Sequence, residues 1–380
     1  MVKRGPTLAR RHRFDQLAGA LQQLVPRMSL WQAHRERVMS PIMRIGSWVP
    51  VLCCLAWVSL ARNGRAACAA AGSDLDCFDA VPTSGPAEPS AFRWASEGKV
   101  LPPDTTASGL HYGFASRPLE LTAPSADPAG RRVPVIGRSH RIEFRAAHGI
   151  GRGMDWGLAV PVSLDQTGVG SEGLSSQRPQ PVARTGLGDL RLGLRTELPK
   201  PHAALNWNLR LELGLPTGDE RNYLGERSFT ETVALNGALT YRPLLFVSDL
   251  GVRFSKASRF ADVVLGTQGF LSLGVAYRIL PRDLLALSLE GRVRPILVPS
   301  QSRVVSTLDG TTTKASWVVP AEWMANIRSR MGALPLWLSA GAGTALDWSK
   351  RDTNGADVDD SFIAPTTPRW RIALAAVVLH

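Results

Sequence analysis

One stretch decides the fold: Leu205-Asn-Trp207-Asn-Leu209-Arg-Leu211-Glu-Leu213-Gly-Leu215. Every odd position is large and apolar, and every even position is polar or glycine. Because a β-strand sends alternate side chains to opposite faces, this stretch forms a strand with one apolar and one polar face. A helix would need a period of 3.6 residues, which the stretch lacks.

The same period of two recurs along the rest of the chain. With the first stretch, it predicts twelve strands. The others centre on Leu110 to Phe114, Ile142 to Ala146, Met154 to Leu164, Leu190 to Glu197, Val233 to Tyr241, Leu244 to Phe254, Leu271 to Ile279, Leu285 to Val293, Trp317 to Ile327, Leu334 to Leu346 and Trp370 to Val378.

The connections between these strands alternate strictly between long and short. Long gaps such as 165–185 and 296–315 follow one strand, and short gaps such as 199–203 and 242–243 follow the next. An even strand number, tight turns at one end and long loops at the other are typical of bacterial outer-membrane barrels. We therefore predict an all-β protein: a 12-stranded antiparallel up-and-down transmembrane β-barrel over residues 107–380.

The sequence does not say which strand face points inward. A soluble barrel has its apolar face inside, whereas an outer-membrane barrel turns that face to lipid and keeps its lumen polar. Strands of about ten residues fit a membrane when tilted, and aromatic residues lie near strand ends, for example Trp156, Tyr241 and Trp370. Both features favour the membrane version over a soluble periplasmic barrel that binds a small ligand.

The formal charge of +12 is concentrated in the first 71 residues, which hold eleven Lys or Arg and two acids, a net +9. The other 309 residues carry only +3. Within the basic region, the apolar core 45–61 and the Ala-rich stretch ending at Ala71 have the pattern of an export signal. We expect residues 1–71 to be an N-terminal extension plus signal peptide, cleaved or disordered, and we expect no nucleic-acid partner.

Residues 72–106 are rich in Pro, Ser and Ala and predict an irregular periplasmic segment ahead of the barrel. Of the four cysteines, Cys53, Cys54 and Cys68 lie in or beside the signal, and Cys77 alone would survive cleavage. One thiol can build neither a disulfide framework nor a paired Cys-x-x-Cys metal site.

Two segments resemble recurrent features of transporter-type outer-membrane β-barrels of Gram-negative bacteria: Thr185-Gly-Leu-Gly-Asp-Leu-Arg-Leu-Gly-Leu-Arg195 and Leu211-Glu-Leu-Gly-Leu-Pro-Thr-Gly-Asp219. Tyr112 to Leu121 is similar to the first strand of the barrel modules that precede OmpA-like domains. The chain departs from those modules after the last strand, because it stops at His380 without such a domain and without a terminal aromatic residue. The resemblance implies an exported barrel that carries solutes.

With the polar face inward, twelve arginines and seven acids are predicted to line the lumen, an excess of five positive charges. The arginines are Arg141, Arg145, Arg191, Arg195, Arg210, Arg253, Arg278, Arg292, Arg294, Arg328, Arg369 and Arg371. The acids are Glu143, Asp189, Glu197, Glu212, Asp249, Glu290 and Glu322. Two hypotheses remain open: an ion-pair ladder that stiffens the barrel, or a narrow pore that prefers anions.

Other candidate sites are weaker. The sequence Gly168-Val-Gly170-Ser-Glu-Gly173 matches a dinucleotide-binding pattern, but no helix can follow it, so we predict a loop and no cofactor.

The acidic residues of the last long loop allow two interpretations, a calcium site or a loop exposed to solvent. The calcium candidates are Asp352, Asn354, Asp357 and Asp359. Among the histidines after the signal, His140 alone is placed where a surface lipid hydrolase would need it.

The sequence therefore predicts a non-enzymatic outer-membrane barrel. It acts as a narrow channel or transporter for small solutes, with anions as candidates, or as a structural surface protein. The alternatives are an outer-membrane lipid hydrolase and a soluble ligand-binding barrel. The expected partners are outer-membrane lipid, lipopolysaccharide and the barrel-assembly machinery, and no metal or other cofactor is expected.

Overall fold

The computed structural model describes residue 79 and residues 85–90, 92–123, 131–170, 182–200, 202–219, 222–226, 228–260, 263–280, 284–297, 303–306, 312–315, 319–331, 335–346 and 367–380. These residues all belong to one compact unit, Ala61–His380. The predicted export signal and the calcium candidates lie outside them. Among the described residues, no helix combines the length and apolarity that a membrane span requires.

In the described part of the chain, twelve long antiparallel strands form a closed barrel, which confirms the predicted fold class. Each strand pairs with its neighbours in sequence, and β1 pairs with the last strand, β17, to close the wall. The wall strands are β1 (Thr106–Ala123), β2 (Arg131–Gly151), β3 (Met154–Thr167), β5 (Leu190–Glu197), β6 (Leu205–Leu215), β7 (Thr230–Tyr241), β8 (Leu244–Phe254), β11 (Gln268–Leu280), β12 (Leu285–Val293), β15 (Ala321–Arg330), β16 (Leu336–Ala345) and β17 (Trp370–Leu379).

Five short strands lie beside or between the wall strands. β4 (Gly186–Leu187) pairs with β3 just before β5 begins. Two small hairpins lie within connections predicted as long loops: β9 (Ser258–Phe260) with β10 (Val263–Leu265), and β13 (Arg303–Ser306) with β14 (Thr312–Ala315).

Long and short connections alternate as predicted, which defines a short-turn end and a long-loop end of the barrel. The first long connection is shorter than expected, because β1 and β2 continue as a hairpin to Ala123 and from Arg131. A register shift between Ser116 and Leu119, where Arg117 has a positive φ, interrupts the period of two. The sequence pattern therefore hid the outer part of this hairpin.

A tight turn joins β2 to β3, as the glycines between Gly149 and Gly153 predict. Arg152 and Gly153 occupy the two central positions, and both have a positive φ. Two-residue hairpins favour this conformation because its twist matches that of the flanking strands, and glycine adopts it without steric cost.

The apolar strand faces point away from the barrel axis. On β6, Leu211 is 45% exposed on the outside whereas Arg210 is 4% exposed on the inside. The same holds for the outward residues Leu110, Leu194, Leu213, Val233, Leu235, Phe246, Leu250, Leu273, Leu289, Ile327, Leu338, Ile372 and Leu374. An apolar exterior around a polar interior is the arrangement of an outer-membrane barrel, and it contradicts the alternative of a soluble barrel with an apolar core.

Candidate functional site

The arginines and acids predicted for the lumen project from the inner strand faces or the inner loop margins. Most are almost inaccessible to solvent: Arg141, Glu143, Arg145, Arg191, Arg195, Arg210, Asp249, Glu290, Arg292, Arg294, Glu322 and Arg371. Asp189, Glu212, Arg253, Arg278, Arg328 and Arg369 are intermediate. Glu197 differs from them, because it pairs with Lys200 at the short-turn end, at 2.6 Å.

One group of charges joins β2, β5 and β6. Glu143 accepts a hydrogen bond from Arg145 Nε at 3.0 Å and also pairs with Arg191. Arg191 in turn contacts Glu212 on β6 at 3.1 Å. A buried charge is tolerated when it is paired and hydrogen-bonded, so these ion pairs connect β2, across the intervening β3, to β5 and β6.

Further ion pairs continue around the wall from β6. Arg210 pairs with Asp249 at 3.0 Å. Glu322 pairs with Arg294 at 3.2 Å and with Arg371 at 2.9 Å, which connects β15 to β17. These pairs support the ion-pair ladder hypothesis for the wall.

The interior also contains a segment that the sequence placed elsewhere. Residues 85–90 and 92–97 lie inside the barrel wall, whereas the sequence predicts a periplasmic segment over residues 72–106. Ala87, Phe92, Trp94, Ala95 and Ser96 are each at most 1% exposed. The described part of this segment has no regular secondary structure.

Side chains of the wall bind the main chain of this segment. The two carboxylate oxygens of Glu290 accept hydrogen bonds from the N–H groups of Arg93 and Trp94, each at 3.0 Å. Glu212 accepts one from the N–H of Ala87 at 3.1 Å. Further along the chain, Asp155 accepts one from the N–H of Leu101 at 2.8 Å. An irregular chain needs such partners, because a buried N–H without an acceptor is costly.

Ion pairs add to these contacts. Glu88 lies 3.2 Å from Arg195, and Glu97 lies 2.7 Å from Arg328. Asp79 pairs with Arg141 at 2.9 Å. The segment therefore presents carboxylates to arginines of the wall.

Two aromatic side chains occupy separate apolar patches of the inner wall. Phe92 packs in a cluster with Ala238, Leu245, Val247 and Ala276 from β7, β8 and β11. On another side of the barrel, Trp94 packs against Met324 and Ala373. Apolar residues at inward positions thus mark where the segment binds.

The loop between β6 and β7 enters the interior from the long-loop end. Asn222, Tyr223 and Leu224 are at most 1% exposed. Tyr223 accepts a hydrogen bond from Arg141 through its carbonyl oxygen at 3.2 Å. Burial raises the pKa of the Tyr223 hydroxyl and of the Glu226 carboxyl, and the nearby Arg253 opposes the shift at Glu226.

Asp189 holds this loop in place. Its carboxylate accepts the N–H of Gly218 at 2.8 Å and the N–H of Glu226 at 2.6 Å. Thr217 accepts the N–H of Leu190 at 2.9 Å. The two segments on which the family resemblance rested therefore interlock, and Asp189 is a loop anchor as well as an inner-wall acid.

Glycines of the wall provide the space for the segment. A Cβ on Gly157 would lie 3.3 Å from the N atom of Glu88, and one on Gly193 would lie 3.3 Å from Ala87. At Gly193, close approach of another chain segment is the observed reason for the glycine, which is a general use of glycine in strands.

Sequence reasoning missed Phe92, Trp94, Glu88 and the two further inward acids Glu120 and Asp155. Glu120 pairs with Arg369 at 3.2 Å, and Asp155 pairs with Arg195 at 2.5 Å. A signal did exist: aromatic residues stand in an otherwise irregular, Pro-rich stretch. A local pattern does not encode contacts such as that of Glu120 with Arg369, which lie 249 positions apart.

These acids change the charge balance of the interior. The count of inner-wall acids loses Glu197, which pairs with Lys200 at the turn, and gains Glu120 and Asp155. Among the described residues, the twelve predicted arginines therefore face eight wall carboxylates, an excess of four positive charges. The segment adds the carboxylates of Glu88 and Glu97 and the guanidinium of Arg93, the inner loop adds Asp219 and Glu226, and Asp79 adds one more carboxylate. With all of them counted, the charges of these described residues balance.

Two cavities remain beside the segment. One of about 50 Å³ lies towards the long-loop end and is lined by Arg210, Arg253, Arg292 and Arg294 together with Thr230. The other, about 300 Å³, lies towards the short-turn end between the segment and the inner faces of β16 and β17. The Arg292 guanidinium also lies over the Phe270 ring, at 5.1 Å.

His140, on which the hydrolase alternative depends, lies in an aromatic cluster on the outer face. Its Nδ1 is 2.7 Å from the Tyr112 hydroxyl, and its ring contacts Phe114 edge-on at 4.7 Å. These contacts are those of an interface residue. Of the histidines predicted near the short-turn end, His148 contacts Thr106 and His380 contacts Ser108.

The structure describes none of the calcium candidates and only part of the glycine motif. Asp352, Asn354, Asp357 and Asp359 lie outside the described residues. Of the glycine motif, only 168–170 is described, and Gly170 donates its N–H to the Val135 carbonyl at 3.0 Å. Among the described residues, no group of His, Cys, Asp and Glu side chains has the arrangement of a metal site.

The chain resembles solved outer-membrane proteins in fold. It is similar to a COG4313 outer membrane channel from Pseudomonas putida F1, with 13% identity, a TM-score of 0.52, and coverage of 75% of this chain and 98% of that one. It is also similar to the NanC porin, with 6% identity, a TM-score of 0.40, and coverage of 73% and 99%. No family model matches the sequence, and no curated protein matches it.

Proposed function

We propose that this outer-membrane β-barrel is a narrow channel for small anionic solutes, held closed by residues 85–90 and 92–97 and by residues 218–219 and 222–226 of the inner loop. One observation carries the proposal: the wall has an excess of four positive charges, and the segment inside it is held partly through carboxylates. Displacing the segment would leave arginines facing water in a low-dielectric bore, where they attract anions.

The ion-pair ladder and the channel are then two properties of one wall. Pairs such as Arg210 with Asp249 and Arg294 with Glu322 hold the strands together in both states. Arg195 and Arg328 would lose the carboxylates of Glu88 and Glu97 when the segment leaves. These two arginines are therefore the positions where an anionic solute would replace the segment.

Single-channel recording in planar bilayers tests this function. The variant Phe92→Ala with Trp94→Ala removes both aromatic anchors, and we expect its conductance to exceed that of the wild type. In a KCl gradient, its reversal potential should show anion preference. Cation preference, or no conductance in this variant, would exclude an anion channel.

A matched pair of arginine variants locates the selectivity. Both changes are made in the chain that carries Phe92→Ala and Trp94→Ala. Arg292→Gln removes a charge that lines the interior cavity of about 50 Å³, whereas Arg138→Gln removes an exposed charge from the outer face of β2. We expect the first to lower anion preference and the second to leave it unchanged. Equal effects would mean that surface charge sets the selectivity.

We further propose that residues 1–71 direct export and that cleavage near Ala71 leaves the barrel and its segment as the mature protein. Insertion would then require the barrel-assembly machinery, and the apolar exterior would contact outer-membrane lipid and lipopolysaccharide. N-terminal sequencing of protein recovered from outer membranes tests this. A mature protein that begins well before residue 60 would contradict it.

A further inference from the structure

The contacts between the wall and residues 85–101 are those of a receptor with a bent, irregular peptide. Wall carboxylates on three different strands accept four main-chain N–H groups of the segment: Ala87 by Glu212, Arg93 and Trp94 by Glu290, and Leu101 by Asp155. In addition, Arg191 donates to the carbonyl oxygen of Gly85 at 2.5 Å. Main-chain groups are common to all peptides, so such contacts do not depend on one sequence.

The Glu290 contact is the most specific. A second wall residue supports it, because Asn326 donates its Nδ2 to Glu290 Oε1 at 2.8 Å. The carboxylate is thereby oriented with both oxygens towards two consecutive N–H groups. Hydrogen bonds to a charged acceptor are stronger than neutral ones, so this residue is a main-chain clamp.

Side-chain contacts supplement the main-chain contacts at defined spacings. Phe92 fills an apolar patch next to Gly274, where a Cβ would lie 3.0 Å from its ring. Two residues later, Trp94 fills the second patch, and the Arg371 guanidinium lies 5.9 Å from its ring centroid. Arg195 donates to the Ser96 hydroxyl at 2.9 Å.

From these contacts we propose that the inner wall is a binding surface for short peptides in a bent conformation with aromatic or apolar side chains, and that residues 85–101 occupy it as an intramolecular ligand. The proposal rests on the proposed channel function and names a class of solute for it. A peptide with a free C-terminus would also carry the carboxylate that the positive wall attracts.

The test uses the full chain carrying Phe92→Ala and Trp94→Ala and a synthetic peptide of residues 85–97, Gly-Pro-Ala-Glu-Pro-Ser-Ala-Phe-Arg-Trp-Ala-Ser-Glu. A matched control peptide carries N-methyl groups on the two residues equivalent to Arg93 and Trp94. It keeps every side chain and loses only the two N–H donors. Binding is measured by fluorescence anisotropy of labelled peptide in detergent and by block of the ionic current.

We expect the unmodified peptide to bind and to block the current, and N-methylation to weaken both by about tenfold or more, because two charge-assisted hydrogen bonds are lost. Adding Glu290→Gln to the barrel should weaken the unmodified peptide similarly. Adding Glu120→Gln, which changes a buried carboxylate that pairs with Arg369 and Arg117 instead, should not.

Each outcome separates this inference from the channel function. If the variant with Phe92→Ala and Trp94→Ala conducts ions but neither binds the peptide nor is blocked by it, the proposed peptide-binding surface is wrong. The proposed channel function is then unaffected. If both peptides bind equally, main-chain capture is wrong. If the barrel binds the unmodified peptide in preference to the control but never conducts, the peptide surface stands and the channel is wrong.

Discussion

Two sectors of the inner wall differ in the charge and the size of their inward side chains. On β2, β5 and β6, the inward positions include Arg141, Glu143, Arg145, Arg191, Arg195, Arg210 and Glu212. On β16, β17 and β1, most inward positions carry small or apolar residues: Ser339, Gly341, Gly343, Ala345, Ala373, Ala375, Val377, Ala107, Gly109, Gly113 and Ala115. Both sectors have the same apolar exterior, so the membrane does not account for the difference.

The difference shows how one barrel can be both rigid and available for binding. The charged sector is crosslinked by ion pairs and is costly to disturb, because removing one partner strands a buried charge. The small-residue sector has fewer such crosslinks among the described residues, among them Arg371 with Glu322, and it leaves the 300 Å³ cavity beside the segment. Stability is therefore concentrated in one sector, and free space in the other.

The largest effect is expected where the charged sector is broken. Arg191→Met leaves Glu143 and Glu212 without their shared guanidinium, and we expect a loss of about 3–5 kcal/mol in the free energy of unfolding. Heat-modifiable migration and denaturant titration in detergent measure it. The control Arg253→Met breaks the more exposed pair with Glu226 and should cost about 1 kcal/mol or less. Equal losses would contradict a crosslinked sector.

A smaller effect is expected at the clamp on the segment. Glu290→Gln replaces one acceptor oxygen with an amide donor, so one N–H of the pair Arg93 and Trp94 loses its partner. A cost of about 1–3 kcal/mol in the bound state raises the fraction of open channels by roughly tenfold or more. Open probability in single-channel records measures it. Unchanged gating would show that Glu290 does not hold the segment.

Crowding the small-residue sector should act on the same clamp more weakly. A Cβ on Gly341 would lie 1.9 Å from Asn326 Oδ1, so Gly341→Ala forces Asn326 to move and loosens its bond to Glu290. We expect a cost of about 1 kcal/mol and an open fraction raised by about fivefold. The combination with Glu290→Gln should add little, because both changes act through one carboxylate.

The smallest effect is expected for Ser339→Ala, on the inner face of β16. It removes a hydroxyl beside the 300 Å³ cavity in the sector with fewer ion pairs. The free energy of unfolding should change by less than about 0.5 kcal/mol, with gating unchanged. A large loss here would mean that the small-residue sector also stabilises the barrel.

The strand pattern could be predicted because it is local. Alternation over ten residues is visible without knowing the neighbours, and so is the alternation of connection lengths. The strand prediction failed at Arg117, because a register shift there interrupts the period of two. The outer part of the hairpin of β1 and β2 was therefore not predicted. The inward arginines also followed from alternation once the polar face was taken as inward.

The pairing of those arginines could not be predicted in the same way. Alternation places Arg195 on the inner face, but its partners are Asp155 on β3 and Glu88 in the segment. Which acid it meets depends on strand register and on the course of an irregular chain. The segment itself has no period, so its location depended on contacts such as that of Arg93 with Glu290, 197 positions away.

The sequence by itself therefore determined the twelve strands, their order and the two faces, since these follow from side-chain alternation and turn chemistry. Only the tertiary structure decided which face is inside and what fills the lumen. The reason is physical: closing the barrel brings distant carboxylates, guanidinium groups and main-chain N–H groups together in a space without bulk water. There, each buried group must find a partner, and the irregular residues 85–97 supply several of them.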